Sequence, residues 1–153
     1  MSLRERIFED LKTALKAREV QTLSTLRLVN AAIKDRDIAL RGEGEDRLMT
    51  DEEITAVLSK MVRQRQESAR AYEEGGRLEL VERELAEIAV IESYLPRQLT
   101  AEETRAAIDL VVRELEAGSI RDMGRVMGAL KARYMGQMDF STVGPLVKAR
   151  LTA

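Results

Sequence analysis

The sequence contains no cysteine and no histidine. The first absence excludes disulfides and thiolate chemistry and indicates a reducing compartment. The second removes the commonest general base and the commonest transition-metal ligand. No apolar run approaches the roughly 18 residues of a membrane span. The amphipathic start MSLRERIFEDLK resembles neither a signal nor a transit peptide. We therefore expect a cytoplasmic protein with no metal, no cofactor and no membrane association.

Aromatic residues and proline are also scarce: aromatics make up 3% of the chain, and only two prolines occur. Hydrophobic content is nonetheless 44%, which is enough for the chain to bury a hydrophobic core, so disorder is not expected. Alanine, leucine, glutamate and arginine are abundant, and apolar residues recur at helical spacing. The sequence therefore predicts an all-α protein.

Local signals divide the predicted helices into two groups. Thr50 to Glu53 and Thr100 to Glu103 form two capping boxes that begin helices. Pro96 ends the helix before it, because proline has no amide hydrogen and restricts the residue that precedes it. We predict a four-helix, bundle-like N-terminal domain over residues 1–95 and a three-helix C-terminal domain over 96–153. We expect Gly118 to end the fifth helix, and Pro145 fits the last helix only in or near its first turn.

Motifs for autonomous catalysis are missing. No phosphate-binding P-loop, dinucleotide-binding glycine motif or E-x-x-H di-iron motif occurs. Ser93 and Ser119 are isolated from any nucleophile motif. Carboxylates are frequent on the fourth predicted helix, but no ligand of another type accompanies them, so they indicate a solvated face. We expect no catalytic centre.

Charge is unevenly distributed along the chain. Residues 51–95 carry 6 basic and 11 acidic groups, whereas residues 119–153 carry 6 basic and 2 acidic groups. Such asymmetry indicates an anionic partner at the basic end. A second polar stripe, Arg27, Asn30 and Lys34, falls on one side of the second helix. It is either a binding surface or a set of groups that satisfy ion pairs inside the bundle.

Two glycines, Gly124 and Gly128, lie inside a predicted helix, where each costs roughly 1 kcal/mol relative to alanine. Three interpretations are open: the glycines permit close packing of helices, they permit close approach of a ligand, or they are simply tolerated. The neighbouring Arg121, Arg125, Lys131 and Arg133 suit a phosphate backbone.

Several stretches of the sequence resemble the YqeY-like proteins, also called the GatB/YqeY family. They are LRLVNAAIKDRDIALRG, RLMTDEEI, KMVRQRQESARAYEEGGRLEL, IESYLPRQLTAEE and SIRDMGRVMGALKARYMGQMDFSTVGPLVKARL. The resemblance implies a tail similar to the C-terminal domain of the B subunit of the glutamine-dependent aminoacyl-tRNA amidotransferase. In that enzyme the tail helps to hold tRNA, while other domains, which have no counterpart here, perform the chemistry.

The resemblance turns the basic helix into a candidate tRNA-binding site. Its predicted residues are Arg121, Gly124, Arg125, Gly128, Lys131, Arg133 and Lys148. Our leading hypothesis is a non-catalytic tRNA-binding or tRNA-linked accessory protein. One alternative is a protein-interaction module that docks on an amidotransferase or an aminoacyl-tRNA synthetase. The other is a carbon–nitrogen ligase of the amidotransferase type with glutamine as amide donor.

Overall fold

The computed structural model describes all residues, 1–153, as seven α-helices and one 3-10 turn without a β-strand. The all-α fold class is thus confirmed. The chain forms two compact units, Met1–Leu95 and Pro96–Ala153. That each unit folds as an independent domain stays a prediction. None of the helices combines the length and the apolar character that crossing a bilayer requires.

The first unit contains four helices packed around one apolar core. The helices are α1 (Leu3–Ala17), α2 (Val20–Gly42), α3 (Asp51–Glu74) and α4 (Leu78–Glu92). Each of them places an apolar stripe inward, as the helical spacing predicts. Fully buried side chains come from all four helices and include Ile7, Leu26, Val29, Ile54, Leu58 and Ile91.

The predicted capping box at Thr50 is present at the start of α3. The Thr50 hydroxyl accepts a hydrogen bond from the Glu53 amide, and the Glu53 carboxylate accepts one from the Thr50 amide. Arg47 adds two further contacts of 2.8 Å to the same carboxylate. These bonds hold the pKa of Glu53 at about 2, with the Arg47 contact as the largest cause. The helix start is therefore fixed by residues within seven positions of one another.

Asp37 is a buried carboxylate on α2 that joins three segments of the first unit. Its two oxygens accept hydrogen bonds from the Arg4 guanidinium of α1 at 2.8 and 3.0 Å. The amide of Met49, just before α3, donates a third bond at 3.0 Å. The Arg4 contact is the largest cause of the lowered pKa of Asp37. The aspartate thus connects α1, α2 and the loop that leads into α3.

The second unit contains three helices and a short 3-10 turn. They are α5 (Ala101–Glu114), the turn Ile120–Asp122, α6 (Met123–Tyr134) and α7 (Phe140–Thr152). The α5 capping box at Thr100 repeats the arrangement at α3, since Arg97 makes two 2.8 Å contacts to Glu103. The core takes residues from all three helices, including Val111, Val126, Leu130, Val143 and Val147.

Residues 97–99, which lead into α5, are bound to the turn that follows α6. The amide of Leu99 donates to the carbonyl of Gln137 at 2.9 Å. The Gln98 side chain donates to the carbonyl of Gly136, and the Gln137 side chain donates to the carbonyl of Arg97. Gly136 itself has a φ of 81°, a left-handed conformation that glycine adopts without strain. The beginning of the second unit is therefore tied to the C-terminal end of α6.

Two helix boundaries differ from the sequence prediction. Pro145 lies in the second turn of α7, not in or near the first, so one intrahelical hydrogen bond to Ser141 is missing. The end of α5 is marked by Glu116 rather than Gly118, because Glu116 takes the left-handed conformation with a φ of 52°. The amide of Ala117 then returns to the carbonyl of Val112, as in a Schellman motif.

Candidate nucleic-acid interface

The turn before α6 is organised by Asp122. Its carboxylate accepts hydrogen bonds from the amides of Gly118 and Ser119, at 3.0 and 3.4 Å. The bond from Gly118 is the largest cause of the lowered pKa of Asp122. The Ser119 hydroxyl in turn accepts from the Arg121 amide. This network sets the direction in which α6 leaves the turn.

Arg125 belongs to that turn and is not a free cation. Its guanidinium donates to the Asp122 carboxylate at 3.0 Å and to the carbonyl of Leu115 at 3.2 Å. The sequence interpretation that Arg125 faces phosphate is weakened, because leaving the turn would break both bonds. The spacing of Asp122 and Arg125, three residues apart on a helix, is the signal that identifies this pair.

Arg133 is also engaged within the second unit. It forms a 2.6 Å ion pair with Glu114 near the end of α5. It therefore lies on the flank of α6 that faces α5, away from the side that carries the glycines. The sequence gives no sign of this pair, because Glu114 is 19 positions away and only the fold brings the two charges together.

Three of the predicted cations remain without an ion pair or side-chain hydrogen bond in the structure. Arg121 lies in the 3-10 turn, Lys131 on α6 and Lys148 on α7, and all three are exposed. These side chains are free to contact an anion without breaking an internal bond. They are the strongest candidates for phosphate contacts among the predicted residues.

The two glycines of α6 face open solvent. A Cβ atom added at Gly124 or Gly128 would have no neighbour within 4 Å beyond its own helical backbone. Close packing of helices within the chain is therefore wrong as the reason for these glycines. Lys131 and Ala132 follow Gly128 by three and four residues, so they share its side of the helix. The result is a bare backbone surface beside a free ammonium group.

This geometry makes a direct prediction for Gly128. Replacement by alanine should raise the free energy of unfolding by about 0.5–1 kcal/mol, since alanine fits the open space and favours the helix. Urea unfolding followed by circular dichroism measures the change. Gly136→Ala is the matched control and should lower stability, because its φ is positive. A loss of stability in Gly128→Ala would contradict the open surface.

The carboxylates of α4 do not form a metal centre. No group of three or more acidic residues is arranged to hold an ion. Glu87 instead forms a 3.0 Å ion pair with Arg65 of α3, in which both side chains are largely buried. The pKa of the neighbouring Glu84 is raised, first by burial and then by the charge of Glu87. These residues connect α3 to α4, which is a structural role.

Comparison with known proteins identifies the family. The family model described as Yqey-like protein matches residues 4–151, almost the whole chain. The chain belongs to the YqeY-like family. This YqeY-like chain is 32% identical to "Altered inheritance of mitochondria protein 41, mitochondrial" of Eremothecium gossypii over 111 residues. It is 33% identical over 107 residues to the protein of the same name from Lachancea thermotolerans, and 27% over 144 residues to that of Saccharomyces cerevisiae.

The extent of these matches differs between the chains. The first two alignments cover 71% and 70% of the YqeY-like chain but only 58% and 54% of the relatives. The third covers 94% of this chain and 74% of the relative. The chain therefore spans little more than half the length of the first two relatives.

The names of the relatives contradict the predicted cytoplasmic location. All three proteins are named as mitochondrial. The prediction for this YqeY-like chain used composition, the absence of cysteine and the character of the first twelve residues. Composition and the absence of cysteine describe folding and redox chemistry, whereas a compartment is set by receptor-read addresses, so these two properties do not decide the location.

Proposed function

We propose that this YqeY-like chain is a non-catalytic, tRNA-binding accessory protein. The observation that carries the proposal is the open glycine surface of α6 beside two unpaired cations. Gly124 and Gly128 weaken the helix, and no packing within the chain requires them. Arg121 and Lys131 are exposed and make no internal ion pair. A ligand that approaches the helix backbone closely accounts for both features.

The chemistry of the surface favours a folded RNA. Lysine and arginine contact phosphate oxygens, and a helix surface without side chains lets a sugar–phosphate backbone come close. Aromatic residues are 3% of the chain, so stacking on single-stranded bases is not the mode of binding. Recognition by shape fits a tRNA, whose folded surface presents phosphates and 2′-hydroxyl groups. The resemblance of the tail to the tRNA-holding part of the amidotransferase B subunit supports the same ligand.

Amide-transfer chemistry is not part of the proposal. The sequence supplies neither the cysteine nor the histidine that commonly serve as nucleophile and base. Its two serines considered above are engaged in local backbone bonds: Ser93 donates to the carbonyl of Val90, and Ser119 caps the turn before α6. We assign the chain a holding role.

Filter binding of total tRNA at several salt concentrations tests the proposal. About three phosphate contacts, from Arg121, Lys131 and Lys148, should give a log–log salt slope of about −2 to −3. The double variant Arg121→Ala/Lys131→Ala should reduce the slope by about 1.5 units, since two counterion-releasing contacts are lost. Circular dichroism should show an unchanged fold, because exposed side chains contribute little to stability.

The matched control is Arg105→Ala/Arg113→Ala, which removes two exposed cations of α5 and should leave the slope unchanged. A slope near zero for the unmodified protein would overturn the tRNA proposal. An equal effect of the two double variants would show that binding depends on net charge and not on the α6 surface.

A further inference from the structure

A cleft in the first unit lies where three helix ends meet. The C-terminal halves of α1 and α4 and the N-terminal end of α2 surround it. We call it the Tyr94 cleft, and its volume is about 270 Å³. A cavity of about 150 Å³ holds a benzene molecule, and sites for drug-sized ligands begin at roughly 300 Å³. The Tyr94 cleft therefore has room for a short carbon chain with a polar head group.

Two carboxylates without an ion pair line the Tyr94 cleft. Glu19 holds the N-cap position of α2, but its side chain accepts no hydrogen bond from the start of that helix. Asp10 accepts a hydrogen bond from the Tyr94 hydroxyl through Oδ2, at 2.6 Å, and its Oδ1 accepts none. No lysine or arginine is among the lining residues. Two negative charges therefore face the cleft without an internal cation.

A buried tyrosine fixes one wall of the cleft. Tyr94 is only 8% exposed, and its hydroxyl oxygen accepts no hydrogen bond in the structure. Burial, followed by the hydrogen bond to Asp10, raises the pKa of Tyr94, so the hydroxyl remains a donor to that carboxylate. The Arg6 guanidinium lies 4.8 Å from the centre of the tyrosine ring and donates to the carbonyl of Ser93 at 3.0 Å. This cation is held outside the cleft and leaves Asp10 unpaired.

We propose that the Tyr94 cleft binds a primary ammonium group on a short, unbranched aliphatic stem. An ammonium group has three N–H donors. The acceptors that the cleft offers without an internal partner are the Glu19 carboxylate, Oδ1 of Asp10 and the Tyr94 hydroxyl oxygen. Ala14 and Val90 supply apolar surface for the stem. The C-terminal ends of α1 and α4 carry negative partial charge, which favours the same cation.

Other classes of ligand fit this lining less well. Calcium takes about six to eight oxygen ligands, whereas no group of three or more acidic residues is arranged to hold an ion. Phosphate and other anions would be repelled by the unpaired Asp10 and Glu19. A neutral ligand of the same shape would leave both charges without a partner. The charge of the ligand is therefore the property to test.

The ammonium group can come from a free alkylamine or from a lysine side chain of another protein. Two-dimensional amide NMR of the full chain with n-pentylamine, 1-pentanol and Nα-acetyl-lysine N-methylamide separates these cases. Pentylamine should shift signals of residues 10–22 and 90–94 with a Kd of about 1 mM, at least about tenfold tighter than pentanol. A lysine derivative that binds as tightly as pentylamine assigns the cleft to a protein lysine, and one that binds about tenfold more weakly assigns it to a free amine.

Two results of the same titrations would overturn the proposal. Equal affinities for pentylamine and pentanol would show that the carboxylates play no part. The absence of shifts at about 10 mM pentylamine, roughly ten times the expected Kd, would show that the cleft does not take an amine.

Neutral variants of the two carboxylates test their role. Asp10→Asn/Glu19→Gln should weaken pentylamine binding by about tenfold or more and leave pentanol binding unchanged. The asparagine keeps an acceptor for the Tyr94 hydroxyl, so the fold should not change. The matched control is Asp35→Asn/Glu52→Gln, which neutralises two exposed carboxylates elsewhere in the first unit and should leave both affinities unchanged. An equal loss in the two double variants would show an effect of net charge and overturn the site.

A variant that fills the cleft separates the cleft from its charges. Thr13 lines the cleft and is exposed, and its hydroxyl bonds only to the carbonyl of Glu9 in its own helix. Thr13→Trp should weaken pentylamine binding by about tenfold or more, because the ring occupies the space of the stem while both carboxylates remain. Thr152→Trp changes an exposed threonine with the same kind of helical bond and should leave binding unchanged. Full binding by Thr13→Trp would place the contact outside the cleft and overturn the proposal. None of these outcomes depends on tRNA binding at α6.

Discussion

Leu130→Ala should unfold the second unit at or near room temperature while the first unit stays folded. Leu130 has no exposed surface and lies at the centre of the core formed by α5, α6 and α7. Removing a buried leucine side chain costs about 2–5 kcal/mol through lost burial and the cavity left behind. A unit that spans only residues 96–153 has a total stability of about 3–5 kcal/mol. One substitution therefore removes most of what holds it together.

Two-dimensional amide NMR measures this result residue by residue. Signals from residues 96–153 should collapse into the narrow range of an unfolded chain, and those from residues 1–95 should keep their dispersion. Leu58→Ala is the matched variant in the first unit, where the same side chain is also fully buried. It should lower the stability of the first unit and leave signals of the second in place. Loss of dispersion throughout the chain in either variant would show that the two units unfold as one.

Asp37→Ala should lower the free energy of unfolding of the first unit by about 2–3 kcal/mol. The substitution leaves the Arg4 guanidinium without its two hydrogen bonds and the Met49 amide without an acceptor. Breaking a largely buried ion pair by removing one partner is strongly destabilising, because the remaining groups lose their partner without regaining full hydration. Urea unfolding of the two proteins gives the difference directly.

The pH dependence of that difference identifies its electrostatic origin. The pKa of Asp37 is lowered in the folded chain from an ordinary value of 3.8, so its contribution is complete above that value. It is lost as the pH falls through the folded-state pKa. The gap between the unmodified protein and Asp37→Ala should stay constant from pH 7 to about 5 and shrink below 3.8. Asp35→Ala, which removes an exposed carboxylate two positions away, should change stability little at any pH. A gap that persists undiminished in acid would show that packing, not charge, is responsible.

The sequence predicted the helices well where the deciding residues are close together in the chain. The capping boxes at Thr50 and Thr100 are complete within four residues, and both begin a helix in the structure. The end of α5 was misassigned because Glu116, not glycine, takes the left-handed conformation. A glutamate rarely adopts a positive φ, so its identity does not predict one. The backbone hydrogen bonds of the Schellman motif around Glu116 stabilise this conformation. The start of α7 follows Asp139, which caps the helix, and this places Pro145 in the second turn, beyond the first-turn position that proline prefers.

The candidate site was predictable in its residue types but not in its pairing. The helical spacing and the local excess of basic residues indicated a basic helix with two glycines. Which cations are free depends on contacts across the fold: Glu114 neutralises Arg133, and Asp122 with the Leu115 carbonyl holds Arg125. Asp37 was missed altogether. An aspartate in an amphipathic helix gives no sign that an arginine 33 positions earlier will pair with it.

The hydrogen bonds between residues 97–99 and the turn after α6 fix the C-terminal end of α6 to the start of the second unit. The chain is anchored beside Gly136, at the C-terminal end of α6, so the opposite end of that helix is the part of it farthest from the tether. Twelve residues of α6 at about 1.5 Å each place Arg121 and Gly124 roughly 18 Å from the anchor along the helix axis. These bonds therefore act on the end of α6 opposite to the one that carries Arg121 and Gly124, and changes to residues 97–99 should leave the surface around those two residues unaltered.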